Sequence, residues 1–135
     1  MNPELLKKAE RIINICTMHT VGESGFSADW VMSLIDEDGY PTSSMMTASR
    51  ADGFNWIAFC TGIGAGFNKA ARIERNPRSS IYMFKQESFT GISLVGKIEI
   101  MTDKETKQKM WYDALGDSFS SPEDERLCVL MFRPE

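Results

Sequence analysis

Residues 30–61 read Trp30-Val31-Met32-Ser33-Leu34-Ile35, Asp36-Glu37-Asp38-Gly39, Tyr40-Pro41-Thr42-Ser43-Ser44-Met45-Met46-Thr47 and, past Ala48-Ser49, Arg50-Ala51-Asp52-Gly53 and Phe54-Asn55-Trp56-Ile57-Ala58-Phe59-Cys60-Thr61. Three β-prone runs alternate with two short turns that carry aspartate and end in glycine, the pattern of strands joined as hairpins. The expectation is an antiparallel meander of three strands.

Working outward, Asn2 is placed to cap a helix whose first residue is Pro3, and Leu5, Ala9, Ile12 and Cys16 recur on one face of it. This helix is expected to run to about His19, and the Gly- and Ser-rich residues 20–28 read as a loop. On the other side, a glycine-rich connection leads to helical spacing over residues 68–75. Asn76-Pro77 ends it, because proline disfavours helix in the residue before it. Residues 79–84 and 92–102 are the next strands, the second carrying Gly96, which in a strand marks a bulge, a bend or a close approach. Asp103 caps a further helix, with Trp111 and Leu115 on one face and Gly116 as its stop. A loop through Ser120-Ser121-Pro122 leads to a last strand over residues 127–132. Six strands and three helices in a hairpin-dominated order predict a mainly β fold, a small antiparallel barrel with peripheral helices.

The chain has 135 residues, 42% apolar and 25% charged, which suits one domain spanning 1–135. Lys and Arg number 15 against 19 Asp and Glu, so there is no overall basic field to hold a nucleic acid by counterion release. Cys16, Cys60 and Cys128 are odd in number and far apart, which argues against a disulfide framework and for a reducing compartment, the cytoplasm. No signal-peptide run and no membrane-span length of apolar sequence is expected.

The segment richest in chemistry is Cys60-Thr61-Gly62-Ile63-Gly64-Ala65-Gly66-Phe67-Asn68-Lys69. A strand ends, glycines permit close approach, and a helix begins with an amide and a cation. Backbone N–H groups at a helix start, the Lys69 ammonium and the Thr61 hydroxyl together suit a phosphate. The plainer alternative is a shaped connection with a solvated lysine. The spaced glycines lack the full pattern and the parallel βαβ setting of a dinucleotide fingerprint. Ser43-Ser44-Met45-Met46-Thr47 sets small polar groups beside polarizable ones, suited to an aromatic heterocycle or to a half-buried strand with methionine in the core. His19 is the only histidine, with Cys16 nearby, too few ligands for zinc. Asp36, Glu37 and Asp38 sit where a hairpin turn favours them for geometry rather than as paired catalytic carboxylates.

In order along the chain, Ile35 to Pro41, Phe59-Cys60-Thr61, Lys69, Asn76-Pro77-Arg78, Leu94 to Ile100, Asp103, Lys107 and Trp111 resemble the pyridoxamine 5'-phosphate oxidase-like family, closest to its general stress protein subgroup. The resemblance implies a six-stranded antiparallel split β-barrel of the FMN-binding type. It further implies a homodimer with two FMN molecules in the clefts between subunits. Carried over by position, the phosphate-binding threonine and lysine fall on Thr61 and Lys69, and the strand lining the isoalloxazine falls on Ser44, Met45 and Met46. Trp111 matches a tryptophan common in the subgroup, with packing as the simpler role for it. The family often has arginine where Ser44 stands, and the loop from Thr61 to Lys69 is longer than usual, which makes Arg72 the reserve for Lys69. True pyridoxamine phosphate oxidases hold their substrate with an arginine and a histidine near the C-terminus. This chain has no histidine after His19, so vitamin B6 oxidation is not expected.

The resemblance implies either a flavin-dependent oxidoreductase passing electrons from reduced nicotinamide or another donor to a small acceptor, or a non-catalytic flavin-binding stress protein. A barrel that binds haem, a deazaflavin or nothing is a third alternative. Apolar residues in succession at Trp56, Ile57, Ala58 and Phe59 call for cover on both faces of their strand, and a second copy of the chain is the expected source of that cover.

Overall fold

In a computed structural model, which describes residues 2–20, 28–64 and 66–135, the chain forms six strands. They are β1 (Asp29–Ile35), β2 (Pro41–Asp52), β3 (Trp56–Gly62), β4 (Arg78–Lys85), β5 (Thr90–Met101) and β6 (Leu127–Pro134). The strands close into a barrel in the order β1-β2-β3-β6-β5-β4, with every neighbouring pair antiparallel. Among the described residues, three α-helices, α1 (Pro3–Ile15), α2 (Lys69–Arg75) and α3 (Lys104–Met110), and a 3₁₀ turn over Asp113–Asp117 lie around it. Both the meander and the mainly β barrel read from the sequence are present. Among the described residues no helix is long and apolar enough to cross a membrane.

Period-two alternation decides what faces the interior. Trp30, Met32 and Leu34 of β1 point inward, as do Ile57 and Phe59 of β3 and Leu130 and Phe132 of β6. Ile12 and Ile13 of α1 join this core, and the Trp30 indole satisfies its buried N–H on the Cys16 carbonyl at 3.2 Å. The Asn2 side chain does cap α1, accepting from the Glu4 amide at 2.8 Å.

A second apolar cluster covers the outer face of β3 and β6. Ala58, Cys60, Val129 and Met131 lie beneath Met110, Leu115 and Phe119. The apolar succession from Trp56 to Phe59 is therefore covered on both sides by the chain itself, which corrects the inference that a second copy must supply that cover.

Element ends differ from expectation for local reasons. Helix α1 stops at Ile15 rather than near His19, because Cys16 leaves helical geometry and the Thr20 hydroxyl donates to the Ile15 carbonyl at 2.7 Å. Strand β2 continues to Asp52 through a bulge between Ala48 and Arg50, where buried Ser49 gives its hydroxyl to the Met110 carbonyl. Helix α3 ends at Met110, since Trp111 is already extended, and Leu115 belongs to the 3₁₀ turn. Most of the loop expected at 20–28 lies outside the described residues.

Gly96 marks a close approach. A Cβ there would stand 2.2 Å from the Arg133 carbonyl oxygen on the paired strand β6. Gly96→Ala is expected to destabilise the fold by roughly 1–3 kcal/mol through this overpacking and to lower the melting temperature by several degrees. A thermal melt matching wild type would show that β5 and β6 separate there without cost.

Candidate functional site

Thr61 is the penultimate residue of β3 and Lys69 the first of α2, and between them the chain turns back on itself. The Ile63 amide donates to the Arg126 carbonyl at 2.7 Å, and the Phe67 amide to the Gly64 carbonyl at 3.1 Å. Gly64 and Gly66 have φ of +98° and +88°, a region that side chains rarely tolerate, so the turn needs glycine at these two places. The Phe67 ring then lies on Gly62, 2.3 Å from where a Cβ would be, and stacks on Phe119 with centroids 6.4 Å apart.

The result is a small pocket of about 100 Å³ lined by Thr61, Gly66, Phe67, Asn68 and Lys69. Its volume is that of about three waters, enough for a phosphate head and short of the roughly 300–1,000 Å³ that encloses a drug-sized ligand. Asn68 makes no side-chain cap on α2. A helix of 7 residues aligns few peptide dipoles, so Lys69 supplies most of the positive charge. No carboxylate among the described residues pairs with it.

Arg72, one turn along α2, is held elsewhere. Its guanidinium donates to the Thr42 hydroxyl at 3.1 Å and lies 3.8 Å from Glu37, which Arg75 also approaches at 3.6 Å. These contacts tie α2 to the β1–β2 hairpin. Asp36 shapes that hairpin by accepting from the Asp38 and Tyr40 amides, both at 2.9 Å, and the Tyr40 bond is the main reason its carboxyl sits below its ordinary value. No cluster able to hold a metal ion occurs among the described residues.

Ser44 is exposed on β2, Met45 is 61% exposed, and Met46 at 8% packs inside the barrel. Trp111 is half-buried against the second apolar cluster. Within one chain, Thr61 and Lys69 share a pocket while Ser44, Met45, Met46 and Trp111 do not line it. The sequence reading missed Phe67, whose ring closes one side; its signal was a lone aromatic within a glycine run. Also missed was an uncovered sheet face. Met45, Val31 and Tyr82 stand side by side across β2, β1 and β4, and the next row is Ser43, Ser33, Ser80 and Val95. Val95 is 63% exposed and Tyr82 42%. Apolar residues at both parities of β4 (Ile81 and Met83, Tyr82 and Phe84) were the available sign.

Closed barrel, glycine-bent junction and peripheral helices together define a split β-barrel of the FMN-binding type. General Stress Protein 26 from Bacillus anthracis str. Sterne is 22% identical over 96% of this chain and 88% of that one, with a TM-score of 0.75. A Clostridium acetobutylicum protein related to general stress protein 26 is 23% identical over 93% and 85%, with a TM-score of 0.73. A pyridoxamine 5'-phosphate oxidase-related, FMN binding protein from Nostoc punctiforme PCC 73102 is 12% identical over 99% and 82%, at 0.68. Among curated proteins none matches this sequence. The family model described as pyridoxamine 5'-phosphate oxidase matches residues 30–135, and the chain belongs to that family.

The cysteine beside the junction is not a reactive group. Burial, with a contribution from neighbouring Cys128, pushes the Cys60 thiol up to about 12, and burial pushes Cys128 up to about 11. Cys16 is raised for the same reason. A thiol reagent at pH 8 is expected to leave all three unmodified in the folded protein and to label three per chain in denaturant. Rapid labelling of the native state would contradict the burial.

Proposed function

We propose that the protein is an FMN-binding oxidoreductase, passing electrons from reduced nicotinamide or another donor to a small acceptor, and that it acts as a cytoplasmic homodimer. One observation carries the reading. Thr61 and Lys69, assigned to a phosphate from their sequence setting, line one pocket at the hand-over from β3 to α2. Thr61 would donate its hydroxyl, and Lys69 its ammonium, to the phosphate ester of FMN. Met45, exposed on β2, would lie along the ring, Ser44, on the other face of the strand with Thr42, would reach no more than its edge, and Met46 contributes backbone only because its side chain fills the core. Arg72 is held by Thr42 and Glu37, so the positive charge that Ser44 does not supply is left to Lys69. When bound, FMN supplies the redox chemistry, so no acid or base of the protein is required for it. Trp111 would serve packing.

Dimerisation in this reading rests on the uncovered face of β2, β1, β4 and β5 rather than on β3. The junction pocket holds a phosphate head and no more, so the remainder of the cofactor would lie between two such faces. Three free, buried cysteines agree with a reducing compartment.

Protein mixed with FMN is expected to turn yellow and to release FMN on denaturation. Lys69→Ala should weaken binding at least tenfold, the scale of one charged hydrogen bond at about 1.5–3 kcal/mol; unchanged affinity in a fluorescence titration would remove Lys69 from the site. Anaerobic NADH or NADPH should bleach the bound flavin at a catalytic rate, whereas a flavin inert to every donor tried would make the protein a carrier.

Sedimentation is expected to give a dimer. Val95→Asp, which places a charge on the uncovered face, should give a folded monomer that binds FMN poorly. A wild-type monomer that binds FMN tightly would be the contrary result.

A further inference from the structure

A second polar cavity lies at the opposite end of β3. Trp56 and Thr61 are five residues apart, about 16 Å along an extended strand. The cavity, about 320 Å³, is lined by Thr17 and His19 after α1, Arg50 and Asp52 of β2, Trp56 of β3 and Lys109 of α3, among others. That volume corresponds to about ten waters.

Most polar groups around it are already engaged. Asn14 accepts the Gly53 amide at 2.7 Å, Asp52 accepts from the Asn55 side chain at 3.1 Å, and Thr20 donates to the Ile15 carbonyl. Three groups keep unused capacity. His19 Nε2 is buried without a hydrogen-bond partner. Arg50 uses Nε on the Lys109 carbonyl at 3.2 Å, and no carboxylate among the described residues pairs with its guanidinium. The Lys109 ammonium lies 5.8 Å from the centroid of the Trp56 ring and likewise pairs with no described carboxylate. Two cations face one aspartate, so the cavity carries net positive charge beside an orphaned imidazole nitrogen and an indole.

We propose that this cavity binds a small organic anion, its carboxylate or phosphate head received by Arg50, Lys109 and His19 and its apolar body lying against Trp56. The pocket is separate from the junction at Thr61 and does not depend on FMN. Burial first, and then the Arg50 charge, hold His19 below its ordinary value, while a hydrogen bond to the Met110 backbone opposes them. An anion placed between Arg50 and His19 offsets the repulsion and favours the imidazolium, so binding must raise the histidine pKa. Asp52 on β2 is the carboxylate lining the cavity, and it is present with or without ligand.

His19 is the only histidine, so its ring protons are read without ambiguity in a proton NMR titration of the full-length protein. Benzoate is expected to raise its pKa saturably, inorganic phosphate to do so with weaker binding for want of an apolar body, and benzylammonium to have no such effect. Arg50→Gln should weaken benzoate binding about tenfold, with the remaining spectrum reporting an intact fold. Lys69→Ala should bind benzoate as wild type does, so loss of FMN binding and loss of anion binding are separately visible. A His19 titration unmoved by benzoate and phosphate, an equal response to benzylammonium, or undiminished benzoate binding by folded Arg50→Gln would each overturn the proposal.

Discussion

The pairing of β3 with β6 is the constraint on which the rest of the molecule depends. Six pairs, from Ile57 opposite Phe132 to Gly62 opposite Leu127, join the end of the early meander to the last strand of the chain. These two strands are apolar on both faces: Phe59, Leu130 and Phe132 fill the barrel, and Ala58, Val129 and Met131 support α3 and the 3₁₀ turn. Closure must therefore await the C-terminal strand, a long-range event with a correspondingly large loop-closure cost. Because both faces are buried, a slip of one residue gains little by exchanging them, so register is held by local devices. Gly96 against the Arg133 carbonyl fixes β5 on β6, and the Ser49 bulge beneath Met110 fixes β2 on β3, so the neighbours on either side are set as well.

The segment that feeds β6 is fixed by a compact polar knot. Lys107, buried, gives its ammonium to the Asp124 carbonyl at 2.7 Å. The Asp124 carboxylate in turn accepts from the Ser120 amide and from the amide and side chain of Arg126, chiefly the last, which holds it well below the usual carboxylate range. Arg126 also offers its carbonyl to Ile63 and lies 5.8 Å from the Phe119 ring centroid. The glycine junction after β3 is thus anchored by the approach to β6, so the Thr61–Lys69 pocket is built by barrel closure rather than by local sequence.

This division explains what could be read from residues alone. The hairpins of β1, β2 and β3 were legible because aspartate and glycine mark turns by local geometry, as Asp36 does with its two amide bonds. Gly96 was legible as a bulge, a bend or a close approach, without a choice among them and without its partner. The barrel order was not set by local signals, since β3 and β6 are far apart in sequence. Trp111 and Leu115 were read as one helical face because their spacing fits, yet tertiary packing of Met110 and Leu115 over β3 and β6 prevailed over that period. The same packing answered a question the sequence posed and answered otherwise: what covers Ala58.

Covering β3 internally leaves the molecule with one bare sheet face, and its chemistry is specific. Serines at positions 33, 43 and 80 form a flat row between strands, with Ser33 and Ser43 bonded to each other at 2.8 Å, flanked by Met45, Tyr82 and Val95. Small hydroxyl side chains let another flat surface approach closely, and the larger apolar ones reward its arrival with buried area. In the proposed reading, a cofactor whose charged end sat in the Thr61–Lys69 pocket would need such a surface for the rest of its length, because the pocket in one chain is only about 100 Å³. Internal cover on one side of the barrel and exposure on the other thus follow from a single placement, that of α3 and the 3₁₀ turn over β3 and β6.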